Sequence, residues 1–246
     1  MRVAFRITLH KDDEGVLHKI KQFFEDGNVE IHSNSCVYVI RNVDILMNKL
    51  IPVLEINPLR TIKYLDYLDF KKILILLYKV KTISLSEEDR DYAKLIIQGM
   101  NTGRKTTNSQ FMEVVKQIQP MNNFWILGFI EGEGTFGLKN LVPYFQIGQH
   151  IRSESVMKEI SLFLSQLPNI FVFTLNSPKL KANMVIHKNT NVIVYSYHNI
   201  DSLHDTLAYF LLNMSFQTRK GTDFLYWCLV LYLHKYGYFI YLQGES

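Results

Sequence analysis

Two carboxylates separated by one residue follow a run of apolar side chains in the middle of the chain. The segment is ILGFIEGEG, residues 126–134, and its acids are Glu131 and Glu133. The apolar run predicts a buried helix, and acids at the C-terminal end of a helix face the negative end of its dipole. A bound divalent cation would relieve that arrangement, because Mg²⁺ prefers carboxylate, carbonyl and water oxygens. The alternative is a core helix whose acids face solvent and whose C-cap is Gly134.

Two glycines of the same segment, Gly128 and Gly132, lie four residues apart and therefore share one face of the predicted helix. Each costs about 0.8–1 kcal/mol of helix stability relative to alanine, so a compensating contact is expected. A stripe without side chains lets a second backbone approach closely. We therefore predict that Gly128 and Gly132 form a helix–helix interface. Two such helices side by side would bring their terminal acids together as a metal site for phosphodiester chemistry.

The sequence around this helix contains an internal repeat. Residues 5–24 match residues 145–164 at an offset of 140, and residues 42–50 match residues 199–207 at an offset of 157. The second copy therefore carries 157 − 140 = 17 additional residues between the two blocks. Because both blocks keep their order, they indicate one unit used twice. The predicted organisation is a first repeat at 1–98, a linker at 99–120 and a second repeat at 121–246.

Each repeat combines short alternating stretches, which predict strands, with apolar residues at helical spacing. This pattern predicts an α+β fold class. In the first repeat we predict a strand at 3–9, a helix after KDDEG, a hairpin at 29–40 and helices at 43–54 and 64–79. In the second we predict a helix at 122–132, strands near 135–139 and 143–149, a helix near 153–165, a hairpin near 170–196 and helices at 200–212 and 220–234.

Composition restricts the function classes. The chain has 246 residues, a formal net charge of +4 and 48% hydrophobic residues, which suits a folded core and permits a nucleic-acid partner without requiring one. Cys36 and Cys228 both lie in apolar stretches, so free thiols are expected rather than a disulfide. His234 and Lys235 interrupt the apolar segment 224–242 after ten residues, which predicts a buried helix and no membrane span.

Two lysines occupy matching repeat positions. Lys63 and Lys220 each come two residues after a threonine and three before an aspartate. A lysine held there could balance the charge on a pentacovalent phosphate, and the alternative is a surface lysine paired with that aspartate. His10 and His150 also match, but they show no metal-ligand spacing and are predicted to be surface or capping residues.

The segment ILGFIEGEG resembles the nine-letter motif of the LAGLIDADG homing endonucleases and maturases, with Gly128, Ile130, Glu133 and Gly134 at matching positions. FRITLHKDDEGVLHKIK, PLRTIKYLDYLDFKK and RKGTDFLYWCLVLYLHKYGY also resemble stretches of fungal mitochondrial intron-encoded members, so the resemblance covers essentially the whole chain. It implies two pseudo-symmetric αββαββα units whose antiparallel sheets form a saddle over the DNA major groove. The first unit would lack its motif helix and first strand, since the counterpart of Glu133 falls at 133 − 140 = −7.

The resemblance also implies roles for individual residues. Glu133 would bind the catalytic metal, Gln149 would lie near the metal-bound water, and Lys63 and Lys220 would lie near the scissile phosphate. Strand residues are expected to contact phosphates and base edges. The predicted DNA-binding residues are Lys139, Gln146, Arg152 and Arg6.

The function implied is that of an intron-encoded, site-specific DNA endonuclease that makes metal-dependent double-strand cuts with Mg²⁺ or Mn²⁺. The expected partner is double-stranded DNA, the expected location is the mitochondrion, and one chain would act as a monomer with internal pseudo-twofold symmetry. A splicing maturase that binds its own group I intron RNA and a truncated, inactive family member are the alternatives. If the chain starts at Met1, one acidic motif alone would leave cleavage weak or absent, whereas an upstream segment would supply the other motif.

Overall fold

The computed structural model describes residues 3–79, 85–101, 104, 120–170 and 179–238. Contacts between Cα atoms divide the chain into two compact units, Met1–Ile118 and Gln119–Ser246. Each unit combines an antiparallel sheet with helices, which confirms the predicted α+β class. The predicted linker at 99–120 lies mostly outside the described residues.

The first unit has a three-stranded sheet in the order β1-β3-β2 among its described residues. Its core is formed by fully buried side chains from the sheet and the helices, among them Leu17, Tyr38, Leu46 and Leu74. Its elements in chain order are β1 (Phe5–His10), a 3₁₀ turn (Lys11–Asp13), α1 (Glu14–Phe24), β2 (Asn28–Ile31), β3 (Ser35–Ile40), α2 (Val43–Ile45, the π-helical turn Leu46–Leu50 and Ile51–Ile56), α3 (Lys63–Lys79) and α4 (Glu87–Gly99).

The second unit has a four-stranded sheet in the order β4-β5-β7-β6 among its described residues. Phe136 of β4 lies at the centre of an aromatic cluster that also contains Phe145, Phe216, Phe224 and Trp227. The elements in chain order are α5 (Asn123–Glu133), β4 (Gly134–Lys139), β5 (Val142–His150), a 3₁₀ turn (Ile151–Ser153), α6 (Glu154–Ser165), β6 (Asn183–His187), β7 (Val192–Tyr197), α7 (Ile200–Ser202, the π-helical turn Leu203–Ala208 and Tyr209–Leu212) and α8 (Lys220–Lys235).

Equivalent hydrogen bonds cap matching positions of the two units. His10 Nδ1 accepts a hydrogen bond from the backbone N–H of Asp12 at 3.3 Å. His150 Nδ1 accepts the equivalent bond from Arg152 at 3.2 Å. Both histidines therefore cap a 3₁₀ turn that leads from a strand into a helix, which is the capping role predicted for them.

The helices after each hairpin repeat the same irregularity. Asn42 and Asn199 accept hydrogen bonds from backbone N–H groups at the starts of α2 and α7. A π-helical turn follows in both copies, Leu46–Leu50 in the first and Leu203–Ala208 in the second. The offset of 157 relates these features, so the repeat extends to local backbone geometry.

The contact that anchors the last helix of each copy differs in chemistry. In the first unit, the Asn48 amide donates to the Tyr78 hydroxyl at 3.5 Å. Their repeat partners are Asp205, which is 4% exposed, and Lys235, and these form an ion pair at 2.9 Å. Burial by itself lowers the pKa of Lys235, but hydrogen bonds to Asp205 and Asp201 outweigh it and raise the pKa. The end of α8 is thus held by charge.

Both cysteines are free, as predicted, with Cys36 buried and Cys228 half-buried. Burial raises the pKa of both thiols, and that of Cys228 reaches about 12. In the described ranges, no helix has the length and apolar character that crossing a bilayer requires.

Candidate functional site

The motif helix α5 runs directly into strand β4 without a loop. Asn122 caps its start by accepting a hydrogen bond from the backbone N–H of Trp125 at 2.9 Å. Gly134 occupies the C-cap position in an extended conformation, with φ −74° and ψ 147°. A Cβ at Gly134 would meet the carbonyl oxygen of Ile130 at 2.7 Å, so glycine is what lets the strand begin against the last helical turn.

Glu131 accepts hydrogen bonds from two backbone N–H groups and one hydroxyl. Its carboxylate accepts hydrogen bonds from the Thr218 N–H and hydroxyl, both at 2.6 Å, and from the Gln217 N–H at 3.0 Å. These donors lie up to 87 residues away in sequence, just before α8. The turn before α8 therefore places positive dipoles at Glu131, where sequence analysis considered a cation.

Glu133 lies on a different side of the helix end. Two residues rotate a helix by about 200°, so consecutive acids at this spacing face nearly opposite directions. The Glu133 side chain is exposed, and within the described ranges it has no hydrogen-bond or ion-pair partner. Glu131 thus ties the end of α5 to the turn before α8, whereas the carboxylate oxygens of Glu133 have no partner among the described residues.

Lys220 places an ammonium group beside this end of the helix. Its Nζ donates to the carbonyl oxygen of Gly134 at 2.9 Å, and its backbone N–H donates to Thr218 Oγ1 at 3.3 Å. Thr218 therefore links the start of α8 to Glu131. Lys220 is half-buried, and its ammonium is held at Gly134, the residue that follows Glu133.

Lys63 occupies the equivalent position, the first residue of α3 in the first unit. Its Nζ donates to Asn101 Oδ1 at 2.9 Å and lies 3.6 Å from the carboxylate of Asp66. The side chain is 61% exposed. The lysine–aspartate pair considered from sequence therefore forms in the first unit, together with an asparagine that sequence reasoning did not single out.

Gln149 lies near the end of β5, on the same face as the buried Phe145 and Ile147. Gly134 pairs with Ile147, so Gln149 extends two residues beyond the ladder that joins β4 to β5. The side chain is half-buried. Its proposed place near a metal-bound water stays a prediction.

A row of four polar residues crosses the outward face of the second sheet. Strand register places Gln146 opposite Thr135 on one side and opposite Ser196 on the other, and Ser196 faces Asn183. Gln146 and Ser196 alternate with buried residues of β5 and β7, so their side chains point away from the helices, and the register places Thr135 and Asn183 on the same face. Sequence reasoning found Gln146 but missed Thr135, Asn183 and Ser196.

The predicted basic contacts are exposed. Lys139 ends β4, next to a two-residue turn in which Asn140 and Leu141 both have positive φ, 51° and 65°. Arg152 lies in the 3₁₀ turn after β5, and Arg6 lies on β1 of the first unit. All three side chains are free to reach a phosphate.

Gly128 and Gly132 lie on an exposed stripe of α5 that continues to Phe124, which is 80% exposed. A Cβ built on either glycine meets no heavy atom within 4 Å. The glycines thus share one face as predicted, and their packing against a second helix remains a prediction.

The carboxylate of Glu133 is the candidate metal ligand at this site. No group of three or more His, Cys, Asp or Glu side chains comes together as a metal site within the described ranges. Mg²⁺ usually retains several water molecules and needs only one or two carboxylates together with substrate phosphates. Glu133 at the junction of α5 and β4 fits such an ion as its protein ligand.

Residues 1–74 match the family model described as LAGLIDADG endonuclease. The chain is similar to the uncharacterized mitochondrial protein RF1 of Saccharomyces cerevisiae, at 25% identity over 96% of this chain and 50% of that protein. It is also similar to the probable intron-encoded endonuclease Cox1-I1b of Schizosaccharomyces pombe, at 28% identity over 79% of this chain and 47% of that protein. The chain thus spans about half the length of these curated relatives.

The fold is shared with solved structures of two LAGLIDADG homing endonucleases. I-GzeII in complex with its DNA target matches with a TM-score of 0.77 at 21% identity, covering 96% of this chain and 82% of that one. I-SmaMI bound to uncleaved DNA in the presence of calcium ions matches with a TM-score of 0.74 at 19% identity, covering 95% and 81%. The family model matched by residues 1–74, the relatives and the shared fold thus all indicate similarity to the LAGLIDADG endonucleases.

Proposed function

We propose that the chain is a site-specific, metal-dependent DNA endonuclease of the intron-homing type. One observation carries the proposal: the motif leaves Glu133 free at the junction of α5 and β4, while Glu131 is fully engaged by the turn before α8. The similarity to LAGLIDADG endonucleases supports a metal-binding acid at this position. DNA is the proposed substrate because the related structures of I-SmaMI and I-GzeII contain DNA targets.

Within this proposal, Glu133 holds a divalent ion, Mg²⁺ or Mn²⁺, at the end of α5. Such an ion, when bound, would supply Lewis-acid activation of water and neutralise charge on the phosphate. Lys220 would hold its ammonium near the scissile phosphate, where it stabilises negative charge that develops during cleavage. Lys63 would do the same from the first unit, and Gln149 would orient water.

The outward polar row of the second sheet is the proposed base-reading surface. Its amide and hydroxyl groups can exchange hydrogen bonds with base edges in the major groove, while Lys139, Arg152 and Arg6 contact phosphates. The same groups present hydrogen bonds and charge to RNA. Group I intron RNA is therefore a second proposed partner, and splicing maturase is the second candidate function. We further infer a mitochondrial location from the relatives and a monomeric enzyme from the internal repeat.

The test is selection of a target from a randomised library of double-stranded DNA with the full chain, followed by cleavage of the selected DNA with Mg²⁺, Mn²⁺ or Ca²⁺. We expect Mg²⁺- or Mn²⁺-dependent double-strand cuts, and we expect Glu133→Gln to bind the DNA without cutting it. Glu88→Gln, an exposed acid at the start of α4, is the matched control and should cut normally. Intron splicing supported by Glu133→Gln, with no DNA cleavage by the unaltered chain, would favour the maturase.

A further inference from the structure

The ammonium of Lys63 is held by the segment that follows α4. Its acceptor, Asn101 Oδ1, lies 2.9 Å from Nζ and 38 residues further along the chain. The repeat partner Lys220 instead donates to Gly134, at the start of β4. The two matched lysines thus depend on different parts of the chain for their orientation.

A buried ion cluster fixes the backbone of Asn101. Its N–H donates to Asp66 Oδ1 at 2.8 Å, and Arg104 Nε donates to the same oxygen at 3.0 Å. Arg104 Nη2 also donates to Asp69 Oδ2 at 2.7 Å. The side chains of Arg104, Asp66 and Asp69 are only 11%, 10% and 16% exposed. A charged cluster with this little solvent contact holds a defined geometry.

The charge states agree with this geometry. Burial by itself raises the pKa of Asp69, yet hydrogen bonds from Arg104 and Lys72 outweigh it and lower the pKa. Burial lowers the pKa of Arg104, and the bonds to Asp69 and Asp66 reverse that effect as well. Asp69 and Arg104 therefore remain charged at neutral pH.

The turn at Asn101 directs its side chain toward Lys63. Asn101 has φ +53°, a left-handed conformation that asparagine tolerates, and its carbonyl oxygen accepts a hydrogen bond from the Arg104 N–H at 3.2 Å. Because Arg104 and the Asn101 N–H share Asp66 Oδ1, the other oxygen, Oδ2, faces Lys63 at 3.6 Å. The ammonium therefore makes its hydrogen bond to the neutral amide and not to the aspartate.

We propose that Asn101 and Arg104 are positioning residues for Lys63. Arg104 and Asp66 fix the turn, and the Asn101 amide oxygen holds the Lys63 ammonium in an orientation that leaves it available to a nucleic-acid phosphate. This proposal rests on the proposed function, in which Lys63 faces the phosphate. Its test therefore needs one measurement that does not depend on cleavage.

That measurement is NMR of the full chain after ¹³C-dimethylation of its lysines, with the Lys63 resonance identified by its loss in Lys63→Arg. Asn101→Gly removes the acceptor while keeping the positive φ, which glycine adopts without strain. We expect the Lys63 resonance to shift and to narrow in Asn101→Gly, and to stay in place in Asn101→Asp, which keeps an acceptor. Asn191→Gly is the matched control, because Asn191 has the same φ of +53° in the second unit.

The second measurement is DNA cleavage in a double-mutant cycle. Asn101→Gly should slow cleavage about three- to tenfold, the effect of losing one solvent-exposed hydrogen bond of typical strength. In a Lys63→Met background it should have no further effect, whereas a merely structural role would slow both proteins equally. An unchanged Lys63 resonance in Asn101→Gly, or equal losses in both backgrounds, would overturn the proposal. A shifted resonance in a chain that never cuts DNA would overturn the proposed function and leave the Asn101–Lys63 contact established.

Discussion

Replacing Glu131 by alanine tests the division of roles within the acidic motif. The carboxylate ties the end of α5 to the turn before α8 through the Thr218 N–H and hydroxyl at 2.6 Å and the Gln217 N–H at 3.0 Å. Glu131→Ala leaves all three donors without this acceptor. It also frees the turn that positions Lys220, because Thr218 Oγ1 accepts from the Lys220 N–H.

The expected loss of folding stability in Glu131→Ala follows from the number of hydrogen bonds and their exposure to solvent. A hydrogen bond to a charged group contributes about 1.5–3 kcal/mol when buried. These three lie at a half-buried site where water can replace the carboxylate, so about 1 kcal/mol each, or about 3 kcal/mol in total, is expected. For a domain of this size that corresponds to a melting temperature lower by about 6–12 °C.

The assay is thermal unfolding of the full chain followed by circular dichroism, with Glu133→Ala as the matched control two residues away. Glu133 is exposed and has no partner among the described residues, so its variant should melt with the unaltered chain. Glu131→Gln, which keeps one amide acceptor, should fall between Glu131→Ala and the unaltered chain. Equal melting temperatures for Glu131→Ala and Glu133→Ala would refute the assignment of a structural role to Glu131.

Three further predictions concern other parts of the two units. Gly134→Ala should unfold at lower temperature because its Cβ meets the Ile130 carbonyl at 2.7 Å, whereas Gly15→Ala in α1, with open space around it, should gain up to about 1 kcal/mol of stability. If calorimetry showed the unfolding temperature changing in the same direction in both variants, the close approach of β4 to the end of α5 would be contradicted. Asp69 has a lowered pKa in the folded state, so its contribution to stability is present above its ordinary pKa and is lost as pH falls through the folded value. Acid titration of Asp69→Asn should therefore give a shallower loss of stability below about pH 4, and an unchanged acid slope would count against the ion cluster. Lys220→Met should reduce cleavage while DNA binding, measured by fluorescence anisotropy, persists, and cleavage at the rate of Lys94→Met, a surface control, would count against its role.

Local periodicity was enough to predict much of the fold. The helix predicted at 122–132 is α5 at Asn123–Glu133, and the hairpin predicted at 29–40 contains β2 and β3. The repeat offsets also located the capping histidines, since a cap depends on neighbours within a few residues. These features are encoded in short windows, which a single sequence displays directly.

The remaining features depend on contacts between distant segments. The donors to Glu131 lie 86 and 87 residues away, so nothing near the motif distinguishes its two acids. The polar row requires the register of four strands, which alternation alone does not set. Asn101 lies in a segment read from composition as the beginning of a linker, and its contact with Lys63 spans 38 residues. The predicted hairpin near 170–196 is described only in part, because residues 171–178 lie outside the described ranges.

The proposed role of Glu133 as metal ligand is tested by the rate of Mg²⁺-dependent cleavage by Glu133→Gln on the DNA that the unaltered chain selects. A metal ligand contributes several kcal/mol of transition-state stabilisation, so its loss should slow cleavage by more than about 100-fold. Binding of the same DNA should be retained, because Glu133 lies outside the polar row proposed to read the bases. Cleavage by Glu133→Gln within about twofold of the unaltered rate would contradict the assignment of this residue as the metal ligand.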